Sequence, residues 1–172
     1  TSYKINEDTR AFYQRTLASA QGATARGYLE RRGLAKQSIE IFGIGLSPAD
    51  GESLKNHLIR EGYSQEELIR AGVLRKDDDG VSHDLFRGRL MFPIRDTYGN
   101  LVGFGARTLD GSEPKYLNSA QTSVFDKGAL LYGLDLAKEG ISQTGVVVVV
   151  EGYMDVIAMH QHGFHETVAV MG

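Results

Sequence analysis

The sequence contains no cysteine. Disulfides, cysteine-ligated zinc and iron–sulfur clusters are therefore excluded, and the composition fits a reducing compartment. Long hydrophobic runs are missing too. The longest purely apolar run, Val146–Val150, falls far short of the roughly 20 residues that a membrane-spanning helix needs. The opening Thr1-Ser2-Tyr3-Lys4-Ile5-Asn6-Glu7 is polar and charged, unlike a secretory signal or a transit peptide. No initiator methionine stands first. The expectation is a segment of a longer chain, soluble and cytoplasmic. A surplus of positive charge is also absent. With 19 basic and 22 acidic side chains the net charge is −3, which argues against a surface given over wholly to nucleic acid.

Charge is unevenly placed along the 172 residues, a length sufficient to bury a real core. Residues 86–127 carry six basic and four acidic side chains, and residues 128–172 carry one and five. A mildly basic middle followed by an acidic end suits a polyanion site beside a metal site. Ordinary surface variation accounts for the same distribution.

Local patterns divide the chain into helices followed by hairpins and then a strand–helix–strand unit. Residues 6–20 read as a helix capped by Asn6, with Phe12, Leu17 and Ala20 marking a face. Helices are expected at Thr24–Arg32, stopped by Gly33, and at Lys36–Phe42. A short strand is expected within Gly43–Pro48, and helices at Glu52–Glu61 and Gln65–Ala71. Asp77-Asp78-Asp79-Gly80 turns one hairpin, and Asp96–Asn100 turns a second between Leu90–Arg95 and Leu101–Arg107. Residues 108–128 read as loop, with a strand at Lys115–Leu117. A short helix at Leu134–Glu139 precedes the strand Val146–Val150, a helix at Tyr153–His162 and a strand at Thr167–Met171. The last three elements read as a βαβ unit of a buried parallel sheet, with an open strand edge after Met171. The fold class expected is mixed α/β (α+β).

Two constellations carry chemistry. Glu151, in Val146–Asp155, stands at the C-terminal end of an apolar strand and ahead of a helix, where α/β sheets bind ligands and the helix dipole favours a carboxylate. An ionised carboxylate there can ligate Mg²⁺ or accept a proton from a hydroxyl. Asp155 lies one turn further on the same side. Read from the residues alone, a first-turn acid with a helix-end hydrogen-bond partner serves equally well. The second constellation is basic: Phe86–Arg95, Gly103–Arg107, Pro114–Ser119 and Phe125–Gly128. Arg and Lys on hairpin ends can hold phosphates, Tyr116 can stack on a base, and Gly103 and Gly105 would admit a nucleic-acid backbone. Solvated arginines on a plain hairpin fit the same strings. Gly103-Phe104-Gly105 is no dinucleotide fingerprint, since no helix follows it. His160, His162 and His165 match no standard metal spacing.

Taken together these strings resemble bacterial DnaG-type primases. The matching pieces, in the family's order, are Tyr28–Leu34 with Arg32-Gly33-Leu34, Gly43-Ile44-Gly45, Arg89–Asp96, Gly103–Arg107, Pro114–Ser119, Tyr132-Gly133-Leu134 and Val149–Asp155. The resemblance implies the N-terminal subdomain of the RNA polymerase domain over residues 1–140 and the start of a Toprim subdomain over 141–172. It implies a parent enzyme that makes RNA primers from NTPs on single-stranded DNA at the replication fork, with Mg²⁺ or Mn²⁺. Glu151 matches the Toprim glutamate, a metal ligand or general base toward the primer 3′-OH, and Asp155 the acid one turn later. Arg32, Arg107, Lys115, Tyr116, Asn118 and Lys127 fall on positions associated with template or nucleotide phosphates, with Arg87 and Arg89 beside them. A zinc module and a domain that binds the replicative helicase belong elsewhere in that family's chains. Its Asp-x-Asp metal ligands would follow Gly172, so these residues alone are expected to make no primers. The competing expectations are another Toprim enzyme, a topoisomerase or nuclease, and a non-catalytic protein-interaction module built on the first 85 residues.

Overall fold

The computed structural model describes residues 1–171. Helix α1 runs from Ser2 to Ala18, four residues earlier than its expected start. Asn6 is not its cap. It is 1% exposed, and its side-chain amide donates to the Leu101 carbonyl at 3.0 Å. The inward face of the helix already begins at Ile5, so the helix extends past the polar residue that local chemistry marks as a start. Helices α2 (Ala23–Arg31) and α3 (Lys36–Phe42) follow as expected. Gly33 and Gly43, at φ of 77° and 68°, take the left-handed conformation that ends each one. Strand β1 (Gly45–Leu46) leads to α4 (Ser53–Arg60) and α5 (Gln65–Arg70). A capping box opens α5: Glu67 N–H donates to Ser64 Oγ, and Ser64 N–H donates to Glu67 Oε2. Strands β2 (Leu74–Lys76) and β3 (Ser82–Asp84) pair as the first hairpin.

The main sheet is antiparallel, ordered β1-β4-β5-β6, with β4 at Arg89–Arg95, β5 at Leu101–Thr108 and β6 at Tyr116–Asn118. Both faces of its centre are buried. Leu90, Phe92 and Ile94 join one apolar cluster, while Met91, Phe104 and Ala106 join another with Tyr13 of α1, Leu54 and Leu58 of α4 and Leu68 of α5. That is the period of two expected of a strand with a core on either side. It is why these strands read as continuous apolar runs. A bulge near Val102 shifts the register, Ile94 facing Gly103 and Arg95 facing Leu101. Beyond it Arg95 donates to Glu7 at 2.9 Å and ties the hairpin to α1.

A second sheet, ordered β7-β9-β8, follows. It comprises β7 (Leu131–Tyr132), β8 (Val148–Val150) and β9 (Thr167–Val170), with helices α6 (Leu134–Thr144) and α7 (Tyr153–Gln161). Strands β8 and β9 are parallel, as the βαβ reading requires. Three details differ from expectation. Helix α6 continues to Thr144 and ends on Gly145. Strand β7 pairs antiparallel with β9, so β9 is flanked on both sides, and the edges belong to β7 and β8 instead of following Met171. The valine run is also not buried: Val146, Val147 and Val149 are 52%, 51% and 56% exposed, Val147 and Val149 lying on a face of β8 that no other element covers among the described residues. No helix among the described residues is long and apolar enough to cross a membrane.

Tyr153, the first residue of α7, joins the two sheets. Its ring stacks on Phe92 with centroids 5.0 Å apart and meets Tyr132 edge-on at 4.7 Å. It covers Gly105 so closely that an added Cβ would overlap its Cζ and Oη. Gly103 is covered in the same way by Phe125, 2.7 Å from where a Cβ would sit. The space over these glycines is filled by the protein's own aromatic rings, not left open for a nucleic-acid backbone. Gly105→Ala should therefore lower the unfolding free energy by about 1–3 kcal/mol through overpacking. Urea titration followed by circular dichroism reads this directly, and an unchanged midpoint would mean that Tyr153 does not occupy that space.

Candidate nucleic-acid interface and carboxylate cleft

The C-terminal ends of β8 and β9 open into a cleft of about 380 Å³. Glu151 follows β8 directly. Gly152, extended at φ −129° and ψ 162°, leads into α7, and Asp155 lies in that helix's first turn. Asp155 Oδ2 is 3.3 Å from where a Gly152 Cβ would stand, so its carboxylate folds back over the strand-to-helix turn. Both acids are exposed and line the cleft, beside the positive end of the α7 dipole. The wall opposite is formed by Tyr116 and Asn118 of β6 and by Lys127. Lys127 opens a single helical turn that Asp126 caps through Gly128 N–H.

The register of the main sheet decides which basic side chains reach this wall. Arg107 faces Tyr116, and Gly105 faces both Phe92 and Asn118. All of them share the face that Tyr153 covers. Tyr153 Oη donates to Asn118 Oδ1, which holds the Asn118 side chain at the cleft, and burial pushes the Tyr153 phenol well above its ordinary pKa. Arg107 Nε donates to Tyr116 Oη at 3.3 Å, and its guanidinium lies 4.9 Å from the ring centre of Tyr28. Arg32 Nη1 donates to Tyr28 Oη at 3.0 Å. Lys115 Nζ lies 5.8 Å from the Tyr116 ring centre. Arg32, Arg107, Lys115 and Tyr116 thus form one cation–aromatic patch that continues through Asn118 and Lys127 to Glu151 and Asp155.

Arg89 and Arg87 stand apart from it. Arg89 is 7% exposed, and its Nη1 donates to the Pro114 carbonyl at 2.6 Å and the Lys115 carbonyl at 3.4 Å. Its position braces the segment carrying Lys115 and Tyr116. Arg87 lies against the turn at Gly51, its Nε 2.7 Å from where a Cβ would stand. Two further residues of the site, Tyr28 and Tyr153, are absent from the site residues expected from the sequence. The signals for them were local: Tyr28 sits four residues before Arg32 on a helix, and Tyr153 directly follows the Glu-Gly turn.

The donors suit a hard cation in kind. Mg²⁺ is commonly held by one or two carboxylates together with water and substrate phosphates, and Glu151 and Asp155 supply such oxygens. Among the described residues no group of three or more His, Cys, Asp and Glu side chains is placed to hold a metal. His160 is packed edge-on against Phe42, and its Nε2 is 2.8 Å from the Thr167 carbonyl oxygen. Burial lowers its pKa.

Carboxylates at the end of a parallel strand, facing a cation–aromatic patch on an antiparallel sheet, mark a mixed α/β protein. The model of the DNA primase catalytic core, N-terminal domain, matches residues 12–138, and that of the Toprim domain matches residues 145–172. The chain belongs to the DNA primase catalytic core family. It is 50% identical to the DNA primase of Deinococcus radiodurans over 149 residues, 86% of this chain and 26% of that protein. It is 42% identical to the DNA primase of Escherichia coli over 172 residues, 100% of this chain and 30% of that protein. The RNA polymerase domain of Mycobacterium tuberculosis primase DnaG superposes with a TM-score of 0.93 at 41% identity, covering 99% of this chain and 56% of that one. A DnaG primase catalytic domain bound to single-stranded DNA gives 0.89 at 42%, covering 99% and 53%. The chain thus spans under a third of the length of these curated relatives and about half of these solved domains.

Arg89→Ala should cost about 1.5–3 kcal/mol of stability, since it removes charged hydrogen bonds to two carbonyls. Arg107→Ala, at the surface, should cost well under about 1 kcal/mol. Urea unfolding of the two variants checks the contrast, and equal small losses would remove Arg89 from its bracing role.

Proposed function

We propose that this chain supplies the template-facing part of a DNA primase, an enzyme that makes short RNA primers from NTPs on single-stranded DNA by metal-dependent nucleotidyl transfer. The observation that carries the reading is the continuity of the Arg32–Arg107–Lys115–Tyr116 patch with the Glu151–Asp155 cleft. A polyanion tracked along the first is delivered to the second. Relatives of the same fold support it, since the Mycobacterium tuberculosis domain is described in complex with double-stranded DNA and another DnaG catalytic domain with single-stranded DNA.

In this reading residues 1–140 form the N-terminal subdomain of the polymerase domain and residues 141–172 open the Toprim subdomain, with Leu131–Tyr132 lent to the second sheet. Glu151 and Asp155 would hold Mg²⁺ or Mn²⁺, which when bound neutralises charge on the transferred phosphoryl and the leaving pyrophosphate. Arg107, Lys115 and Lys127 bind phosphates of template and nucleotide, Arg32 extends that track, Tyr116 stacks on a base, and Asn118, held by Tyr153, orients a ligand at the mouth of the cleft. Arg89 serves the same surface indirectly, through the loop that it braces, and Arg87, held against the turn at Gly51, takes no part in it. The contacts with zinc and with a replicative helicase belong to other parts of such a primase, and the setting is the replication fork in the cytoplasm.

By the family resemblance, Glu151 and Asp155 are only part of the metal-holding set, the family's Asp-x-Asp pair supplying the rest. Residues 1–172 alone should therefore yield no di- or trinucleotide on single-stranded template with Mg²⁺ or Mn²⁺, and clear turnover would refute this. Binding should survive. The Arg107→Ala, Lys115→Ala double variant should bind single-stranded DNA more weakly, with a log–log salt slope shallower by about 0.7 per lost phosphate contact. Fluorescence anisotropy across a salt series measures it. An unchanged slope would favour a protein-interaction module instead.

A further inference from the structure

The patch contains a side chain whose placement goes beyond general basicity. Tyr28, half-buried on α2, stands between two guanidinium groups. Arg107 Cζ lies 4.9 Å from its ring centre and Arg32 Cζ lies 5.8 Å away. Its hydroxyl accepts from Arg32 Nη1 at 3.0 Å. On the far side of Arg107 stands Tyr116, with its ring centre 5.8 Å from Arg107 Cζ and 5.8 Å from Lys115 Nζ. In order of contact they run Arg32, Tyr28, Arg107, Tyr116, Lys115: three cations from three separate segments, interleaved with two rings.

Three like charges in one row repel, and among the described residues none of the three has a carboxylate within ion-pair distance. Cation–ring attraction offsets part of that repulsion and fixes where each charge points. Among the described residues, Tyr28 is the ring that lies against both arginines. Arg32 is the exposed C-cap of α2, where its side chain has no other hydrogen-bond partner among the described residues. Without Tyr28 a flexible arginine there would sample many rotamers, and ordering it would be charged against binding.

We propose that Tyr28 is a positioning residue: it aligns Arg32 with Arg107 so that the two guanidinium groups meet two phosphates of a single strand together. The inference rests on the nucleic-acid reading of this face and adds the device that preorganises it. Tyr28 itself carries no charge and acts through its two neighbours.

The test uses the 172-residue chain and a labelled oligothymidylate, with anisotropy read across a salt series. Tyr28→Leu keeps an apolar body in the core but removes ring and hydroxyl. It should weaken binding roughly threefold to thirtyfold, the worth of one or two such contacts. It should also make the salt slope shallower although no charge has been removed. Tyr28→Phe keeps the ring under Arg107 and should lie between Tyr28→Leu and the parent. Combined with Arg107→Ala, Tyr28→Leu should cost clearly less than it does alone. Affinity and slope unchanged in a Tyr28→Leu protein of normal urea midpoint would overturn the proposal. So would weakened binding at an unchanged slope, which would make Tyr28 a direct base contact. Loss of binding in Arg107→Ala but not in Tyr28→Leu would sink this inference and leave the functional reading standing. Failure of the parent chain to bind at all would sink both.

Discussion

The seat of Tyr153 is the contact on which the rest of the site depends. Its ring lies flat on Phe92 of the main sheet, edge-on to Tyr132 of the small sheet and directly over Gly105. An aromatic ring buried in this way contributes large apolar area and a preferred stacking geometry. It also stands two residues after Glu151. Fixing the ring therefore fixes the strand-to-helix turn, and with it the carboxylate, relative to the face of the main sheet. The same side chain then uses its hydroxyl to hold Asn118 at the opposite wall. One residue spans the cleft from floor to rim, and a glycine beneath it makes room.

Around that seat the charges sort themselves by what holds them. The basic surplus of residues 86–127 does not form one surface. Arg95 is committed to Glu7, Arg89 to two carbonyls, and Arg87 to the turn at Gly51. What remains is Arg107, Lys115 and Lys127, to which α2 contributes Arg32. These are cations without ion-pair partners among the described residues, and Arg32, Arg107 and Lys115 lie against rings. The two acids across the cleft are exposed beside a helix N-terminus. Exposed charges of both signs thus line one cleft without forming an ion pair among the described residues.

The division between bracing and facing arginines bears on how such a surface is read. Arg89 and Arg107 look alike in the sequence, each at the end of an apolar run. In the hairpin they lie on opposite faces: Arg107 pairs with Leu90, and Arg89 pairs with Thr108. One residue of register separates a side chain locked into the interior from one on the cation–aromatic patch.

What the sequence determined by itself was local. Gly33 and Gly43 end their helices, the aspartate-rich turns make hairpins, and Glu151-Gly152 makes a strand-to-helix corner, because each depends on the conformational preferences of a few adjacent residues. The order of motifs also sufficed to recognise the family, since it needs no contacts. The tertiary structure decided whatever depended on distant partners. The buried face of α1 ran past Asn6 because Leu101 offers it a carbonyl. The two-residue β7 exists only because Val170 and Ala169 lie beside it. The valine run stayed half-exposed because strand burial belongs to a sheet's neighbours, not to the strand's composition. Gly103 and Gly105 received aromatic rings, and Tyr28 met Arg107 across nearly eighty residues of chain, because packing brings together surfaces that no local pattern can pair.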